Sequence, residues 1–119
     1  MKTFTDLKFE LLYVGVNRGV VGKCTLSNGY EISVAMNNQT YGGKEGLWEI
    51  CVFENEKAYE SIKLKCLKGE TVEGYLTTKE VEEKMKEIQK ELGIDDKNIQ
   101  DAEMIEEDTK IWKKTIKFK

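Results

Sequence analysis

The chain has 119 residues, of which 39% are apolar and 34% charged, and its 19 basic and 22 acidic side chains leave a net charge of −3. Those numbers exclude a disordered tail, a collagen-like repeat and a coiled-coil rod, and no run approaches the roughly 18 apolar residues of a membrane-spanning helix. The length predicts a single domain over residues 1–119.

Histidine is absent. That removes the commonest general base and the commonest metal ligand, and with them serine–histidine and cysteine–histidine catalysis. Cys24, Cys51 and Cys66 are far apart and odd in number. Neither a zinc site, which wants paired ligands on a short loop, nor a disulfide framework follows from that spacing. Asp6 and Glu10 interrupt the N-terminal segment where a signal peptide would need an apolar stretch. The expectation is a cytoplasmic protein with reduced thiols, no cofactor, no metal and no membrane association.

Taken in chain order, residues 7–76 read as strands joined by glycine-bearing turns. Leu7, Phe9, Leu11 and Tyr13 alternate with Lys8 and Glu10, after which Leu12, Val14 and Val16 make the second face apolar as well. Asn17-Arg18-Gly19 predicts a turn and 20–26 the returning strand. Asn28-Gly29 predicts a two-residue hairpin turn. Tyr30, Ile32, Val34 and Met36 then share a face, with Glu31 and Ser33 on the other. A polar stretch over 37–46 leads into the strand 47–53, whose two apolar faces predict a central position covered on both sides. Residues 58–67 predict a further strand with a less regular pattern, and 71–76 a short one.

A helix over 78–92 is well marked. Thr77 and Glu80 form a capping box; Val81, Met85, Ile88 and Leu92 recur at helical spacing; Gly93 is placed for the left-handed cap, with Ile94 packing back on the last turn. Charge then splits. Residues 95–108 hold seven acids and one lysine, and 110–119 hold five lysines and no acid. Opposite charges facing across a pair of strands predict a C-terminal hairpin of 102–107 with 110–118; a second helix over 98–107 is the competing expectation. The fold class is therefore α+β: an antiparallel β-sheet of five or more strands, one packed helix and a C-terminal hairpin.

Candidate sites are few. The loop Thr40-Tyr41-Gly42-Gly43-Lys44-Glu45-Gly46 offers backbone N–H groups and a lysine to an anion. No helix follows it, its spacing is not that of a phosphate-binding loop, and a plain strand-to-strand connection is the simpler reading. Arg18, the only guanidinium, suits a phosphate or a partner carboxylate from its turn, and a solvated turn residue is the simpler reading. Glu82-Glu83 and Glu106-Glu107 read as solvated acids. Gly15, Gly19 and Gly22 do not make a dinucleotide fingerprint. The basic stripe that nucleic acid requires is offset by the acidic segment before it.

Two segments carry a resemblance. Tyr41-Gly42-Gly43-Lys44-Glu45-Gly46-Leu47-Trp48-Glu49-Ile50 and Val72-Glu73-Gly74-Tyr75-Leu76-Thr77-Thr78-Lys79-Glu80-Val81 resemble small accessory proteins of bacteriophages and prophages, over residues 30–92. No catalytic residues come with the resemblance. It implies a cytoplasmic, non-catalytic antagonist of host defence. Such a protein blocks an effector such as a CRISPR nuclease, or sequesters a nucleotide immune signal. A nucleotide would be held by Tyr41 and Trp48 stacking a base and by Arg18, Lys44 and the amides of Gly42 and Gly43 on phosphate, with Gln39 beside them, across a homo-oligomer interface. The alternative is a scaffold module whose open sheet edge pairs with itself or another chain.

Overall fold

The computed structural model describes residues 1–14, 17–55 and 59–94. Five antiparallel strands, β1 (Lys8–Val14), β2 (Asn17–Thr25), β3 (Glu31–Met36), β4 (Trp48–Phe53) and β5 (Val72–Leu76), lie in the order β1-β2-β3-β4-β5, and one helix, α1 (Thr78–Glu91), packs on the sheet. The α+β class and the five-stranded antiparallel sheet are as expected. The proposed hairpin of 102–107 with 110–118 lies outside the described residues. Among the described residues no helix is long and apolar enough to cross a membrane.

Register sorts the strand residues by face. Phe9, Gly22, Val34 and Ile50 stand opposite one another across four strands, as do Cys24, Ile32 and Val52 across three, and α1 covers this side. Ile32, Val34, Ile50 and Val52 meet Val81, Met85 and Ile88 of the helix, all with no solvent exposure, so the hydrophobic effect fixes which face is which. Lys8, Lys23, Ser33, Cys51 and Val72 line the far side. No described helix covers it, and Cys51 and Phe53 are only half-buried. The expectation that 47–53 is covered on both sides is not met among the described residues, where α1 covers one face and no second layer lies on the other.

Three other local expectations are also corrected. Asn17-Arg18-Gly19 is no turn; it opens β2, paired with Val14, Tyr13 and Leu12. Gly19 is needed because a methyl group there would overlap Asn37. Asn28-Gly29 sits in a three-residue loop: Leu26 N–H donates to Tyr30 O at 2.7 Å, Gly29 N–H to Leu26 O at 2.9 Å, and only Gly29 takes positive φ. A turn ending in a left-handed glycine replaces the two-residue type. Residues 59–64 form no strand; they lead to a 3-10 turn at Lys65–Leu67 that buries Leu64 and Leu67, three apart on one side.

The ends of α1 follow local chemistry. Glu80 N–H donates to Thr77 Oγ1 at 3.2 Å and Thr77 N–H to Glu80 Oε1 at 2.8 Å. Gly93 has φ 83° and Ile94 N–H reaches Gln89 O at 2.7 Å. The inner face differs in one position: Leu92 is half-buried, and the fully buried residue of that turn is Gln89. Its Nε2 donates to Lys2 O at 2.8 Å and Met85 O at 3.0 Å, and its Oε1 accepts from Lys2 N–H at 2.8 Å. Glu82 accepts from Phe4 N–H at 2.8 Å, so two helix side chains tie down the N-terminal segment.

Glu91 does the same for the 3-10 turn, accepting from Cys66 N–H at 2.9 Å and Lys65 N–H at 2.7 Å. Those two donors hold its carboxyl below the ordinary 4.5. A depressed folded-state pKa gives stability that is present above the unfolded value and lost as pH falls through the folded one. Glu91→Gln is therefore expected to melt below the wild type at pH 7. The gap should begin to narrow as pH falls through 4.5, where the unfolded carboxyl takes up its proton, and close once pH is below the depressed folded value. Thermal melts of both proteins check this; a gap constant down to pH 3 contradicts it.

Candidate functional site

The loop of residues 37–47 is a folded object. Asn37 organises its first turn: Oδ1 accepts from Gln39 N–H at 2.7 Å and Thr40 N–H at 3.1 Å, while Thr40 Oγ1 donates to Asn37 O at 3.0 Å. A 3-10 turn at Gly43–Glu45 follows, flanked by Gly42 at φ 88° and Gly46 at φ 79°, values glycine adopts without strain. Gly43 packs so closely on Asn37 O that a methyl group would overlap it.

The loop lies against β5. Tyr75 N–H donates to Tyr41 O at 3.0 Å, and Tyr41 N–H donates to the Glu49 carboxylate at 2.9 Å. β5 slips register here: Leu76 pairs with Trp48 and Glu73 with Ile50, so Gly74 and Tyr75 together face one residue of β4. Gly74 has no room for a Cβ because Tyr41 occupies the space. Tyr75 adopts φ 60°, a left-handed backbone that is an outlier for a bulky side chain. Both rings face solvent, Tyr41 at 58% and Tyr75 at 57% exposure. The result is a pair of tyrosines held by backbone bonds at the β5 edge, with Lys44 exposed on the same loop.

The residues expected at a site divide. Tyr41, Gly42, Gly43 and Lys44 belong to this loop, and Gln39 is exposed in its first turn. Arg18, exposed in β2 beside Gly19, lies at the same end of the sheet, where Gly19 meets Asn37. Trp48 is elsewhere. Along β4 it alternates with Glu49, and its ring packs on Phe9 at 5.3 Å and Phe4 at 5.8 Å between centroids on the helix side. Its Nε1 donates to Thr78 Oγ1 at 3.1 Å. Tyr41 and Trp48 therefore do not form one stacking pair, since adjacent strand residues point to opposite faces. Tyr75 and Glu49 are the positions sequence reasoning missed; a glycine within a strand was the available signal, as it marks a bulge or close backbone approach.

The loop is poorly suited to cradling phosphate. The amides of Gln39, Thr40, Tyr41, Gly43, Glu45, Gly46 and Leu47 already donate within the protein, so residues 39–47 present no run of consecutive free N–H groups, which an anion nest needs. On the face away from α1, a cleft of about 410 Å³ includes Lys8, Lys23, Glu10 and Glu31. Lysines and acids alternate around it, so no single sign of charge is selected.

Other reactive groups are held in unreactive states. Burial pushes the Cys24 and Cys51 thiols up to about 11 and the Cys66 thiol to about 12, so none is a thiolate at neutral pH. Lys84 is the most enclosed lysine among the described ion pairs, with Nζ 3.2 Å from Glu73 and Glu87 and 2.8 Å from Cys66 O. Burial alone would lower its pKa, but the two carboxylates outweigh it and raise it above 10.5, leaving no lone pair for nucleophilic attack. The described residues hold no cluster of three metal-ligating side chains. Comparison with protein-family models, with curated proteins and with solved structures found no match.

Proposed function

We propose that this chain is a non-catalytic binding protein that engages a protein partner through the Tyr41–Tyr75 surface. The observation that carries this reading is Tyr75. A left-handed backbone costs a bulky L-residue about 1–2 kcal/mol, and at 57% exposure the ring recovers little of that by burial. Strain of this kind persists where function uses the conformation. Tyrosine is a residue type that dominates protein interfaces, because a stiff amphipathic ring supplies contact area at small entropic cost. A small molecule wants a concave, enclosing site, whereas Tyr41, Tyr75 and Lys44 all stand in solvent.

The likeness of residues 41–50 and 72–81 to phage accessory proteins supports a host-defence effector as the partner, blocked by occupation in the cytoplasm of the host cell. The nucleotide-sequestering alternative draws on Lys44 and Arg18 at the same end of the sheet.

Affinity capture from bacterial lysate tests the proposal when run with matched variants. Asparagine tolerates left-handed backbone, so Tyr75→Asn removes the ring and relieves the strain. It is expected to raise the melting temperature by a few degrees and weaken partner binding roughly 30-fold, the loss typical of an interface anchor. Tyr41→Ser should lose the partner too. Tyr59→Ser, at a side chain 97% exposed but outside this surface, should retain it. A partner kept by both Tyr41→Ser and Tyr75→Asn rejects the surface. A melting shift of the wild type with a cyclic nucleotide, and no protein retained, favours the sequestering alternative.

A further inference from the structure

We infer that two copies of this chain pair through the outer edge of β1, antiparallel about a two-fold axis at Phe9. The two edges of the sheet are treated differently. β5 is blunted: five residues, a bulge at Gly74-Tyr75, and the 37–47 loop taking the Tyr75 N–H. β1 has none of these devices. It is seven residues long, pairs with β2 without a register break, and the chain contains no proline. Among the described residues no strand lies beyond it. A long regular edge is a template for another strand.

The side chains of β1 say which strand. Lys8, Phe9, Glu10 and Leu11 are all exposed, Leu11 at 70%. Antiparallel pairing centred on Phe9 sets Lys8 opposite Glu10 of the second copy, and Glu10 opposite its Lys8. Lys8, Phe9 and Glu10 of the two β1 strands pair directly; on the helix side Phe9 meets Phe9, and exposed Leu11 comes beside Leu7, a buried residue just before β1. The segment Leu7-Lys8-Phe9-Glu10-Leu11 is thus complementary to itself in both charge and polarity, and directly opposed charges and aromatic pairs are what stabilise neighbouring strands. Slipping the centre to Leu11 sets Lys8 against Val14 and Glu10 against Leu12, and both ion pairs are lost. The axis runs through the sheet, so both helices lie on one side, and Phe9 extends its contacts with Phe4 and Trp48 across the junction. β1 is the edge opposite β5, which leaves a Tyr41–Tyr75 surface open at each end of a ten-stranded sheet. The inference stands whether or not that surface binds a protein.

Sedimentation of the full chain over a concentration series tests it. The wild type is expected to form dimers. Lys8→Glu and Glu10→Lys should each weaken dimerisation at least about tenfold, 1.4 kcal/mol, because each sets like charges opposite one another twice. The double variant Lys8→Glu/Glu10→Lys should recover dimerisation, and an equimolar mixture of the two single variants should form heterodimers. Both positions are exposed, and circular dichroism checks that every variant is folded. A wild type monomeric up to about 1 mM, or a dimer equally strong in all variants, overturns the inference; the latter places the contact on another surface.

Discussion

Gln89→Ala is expected to destabilise the protein by about 3 kcal/mol and to lower its melting temperature by roughly 10 °C. Gln89 has no solvent exposure, and one amide serves three groups: the N–H and C=O of Lys2 and the carbonyl of Met85. Alanine removes all three bonds and leaves the volume of the buried amide unfilled. The N-terminal segment then loses both of its bonds to Gln89 and keeps the Glu82 bond at Phe4. Phe4 in turn supports Phe9 at 5.5 Å and Trp48 at 5.8 Å between ring centroids, so the loss spreads to the β1 edge. Gln89→Leu separates the two contributions, since it fills the volume and makes none of the bonds. It should recover the packing part of the loss and still release residues 1–3 to faster amide exchange. Chemical denaturation of the three proteins is the measurement. A loss below 1 kcal/mol for alanine would mean that water replaces the amide without cost.

Gly74→Ala should abolish partner binding and destabilise the fold by about 1–3 kcal/mol, the range for forcing a methyl group into filled space. The added carbon would overlap Tyr41. The obstruction includes the Tyr41 carbonyl, which is backbone and cannot rotate away, so the loop must lift off β5 and break the bond from Tyr75 N–H. Gly29→Ala is the matched control. Its φ of 90° makes any side chain strained, yet nothing lies within 4 Å of the new carbon. It should be destabilising by about 1–2 kcal/mol and leave binding untouched. Equal binding by the wild type and Gly74→Ala would separate the loop's seating from function.

What was legible in the sequence is what neighbouring residues decide. The capping box at Thr77 and Glu80 and the left-handed Gly93 with Ile94 behind it are local chemistry, and both form as read. Alternation in Ile32 and Val34 identified the buried face of β3 because period-two burial leaves a direct trace, whereas the two apolar faces of 47–53 left the face of Ile50 and Val52 undecided. The errors arose where a residue answers to something distant in sequence. Gly19 looked like a turn residue but serves the approach of Asn37. Gln89 had no place in the apolar stripe read for α1, because nothing nearby shows that Lys2 will need its amide. Trp48 beside a glycine-rich loop looked available for stacking, and only the fold brings Phe4 and Phe9 against it. Part of the site was visible in Tyr41, Gly42, Gly43 and Lys44. Tyr75 was not, since its left-handed backbone arises from the loop lying across the bulge at Gly74, and no local pattern encodes that crossing.

Amide hydrogen exchange on the complex with the captured partner tests the binding surface most directly. The account predicts that partner binding slows exchange at residues 39–47 and at Tyr75 while α1 is unchanged. Slowing confined to α1, or to the sheet face lined by Lys23, Ser33 and Cys51, with the loop unaffected, would contradict it.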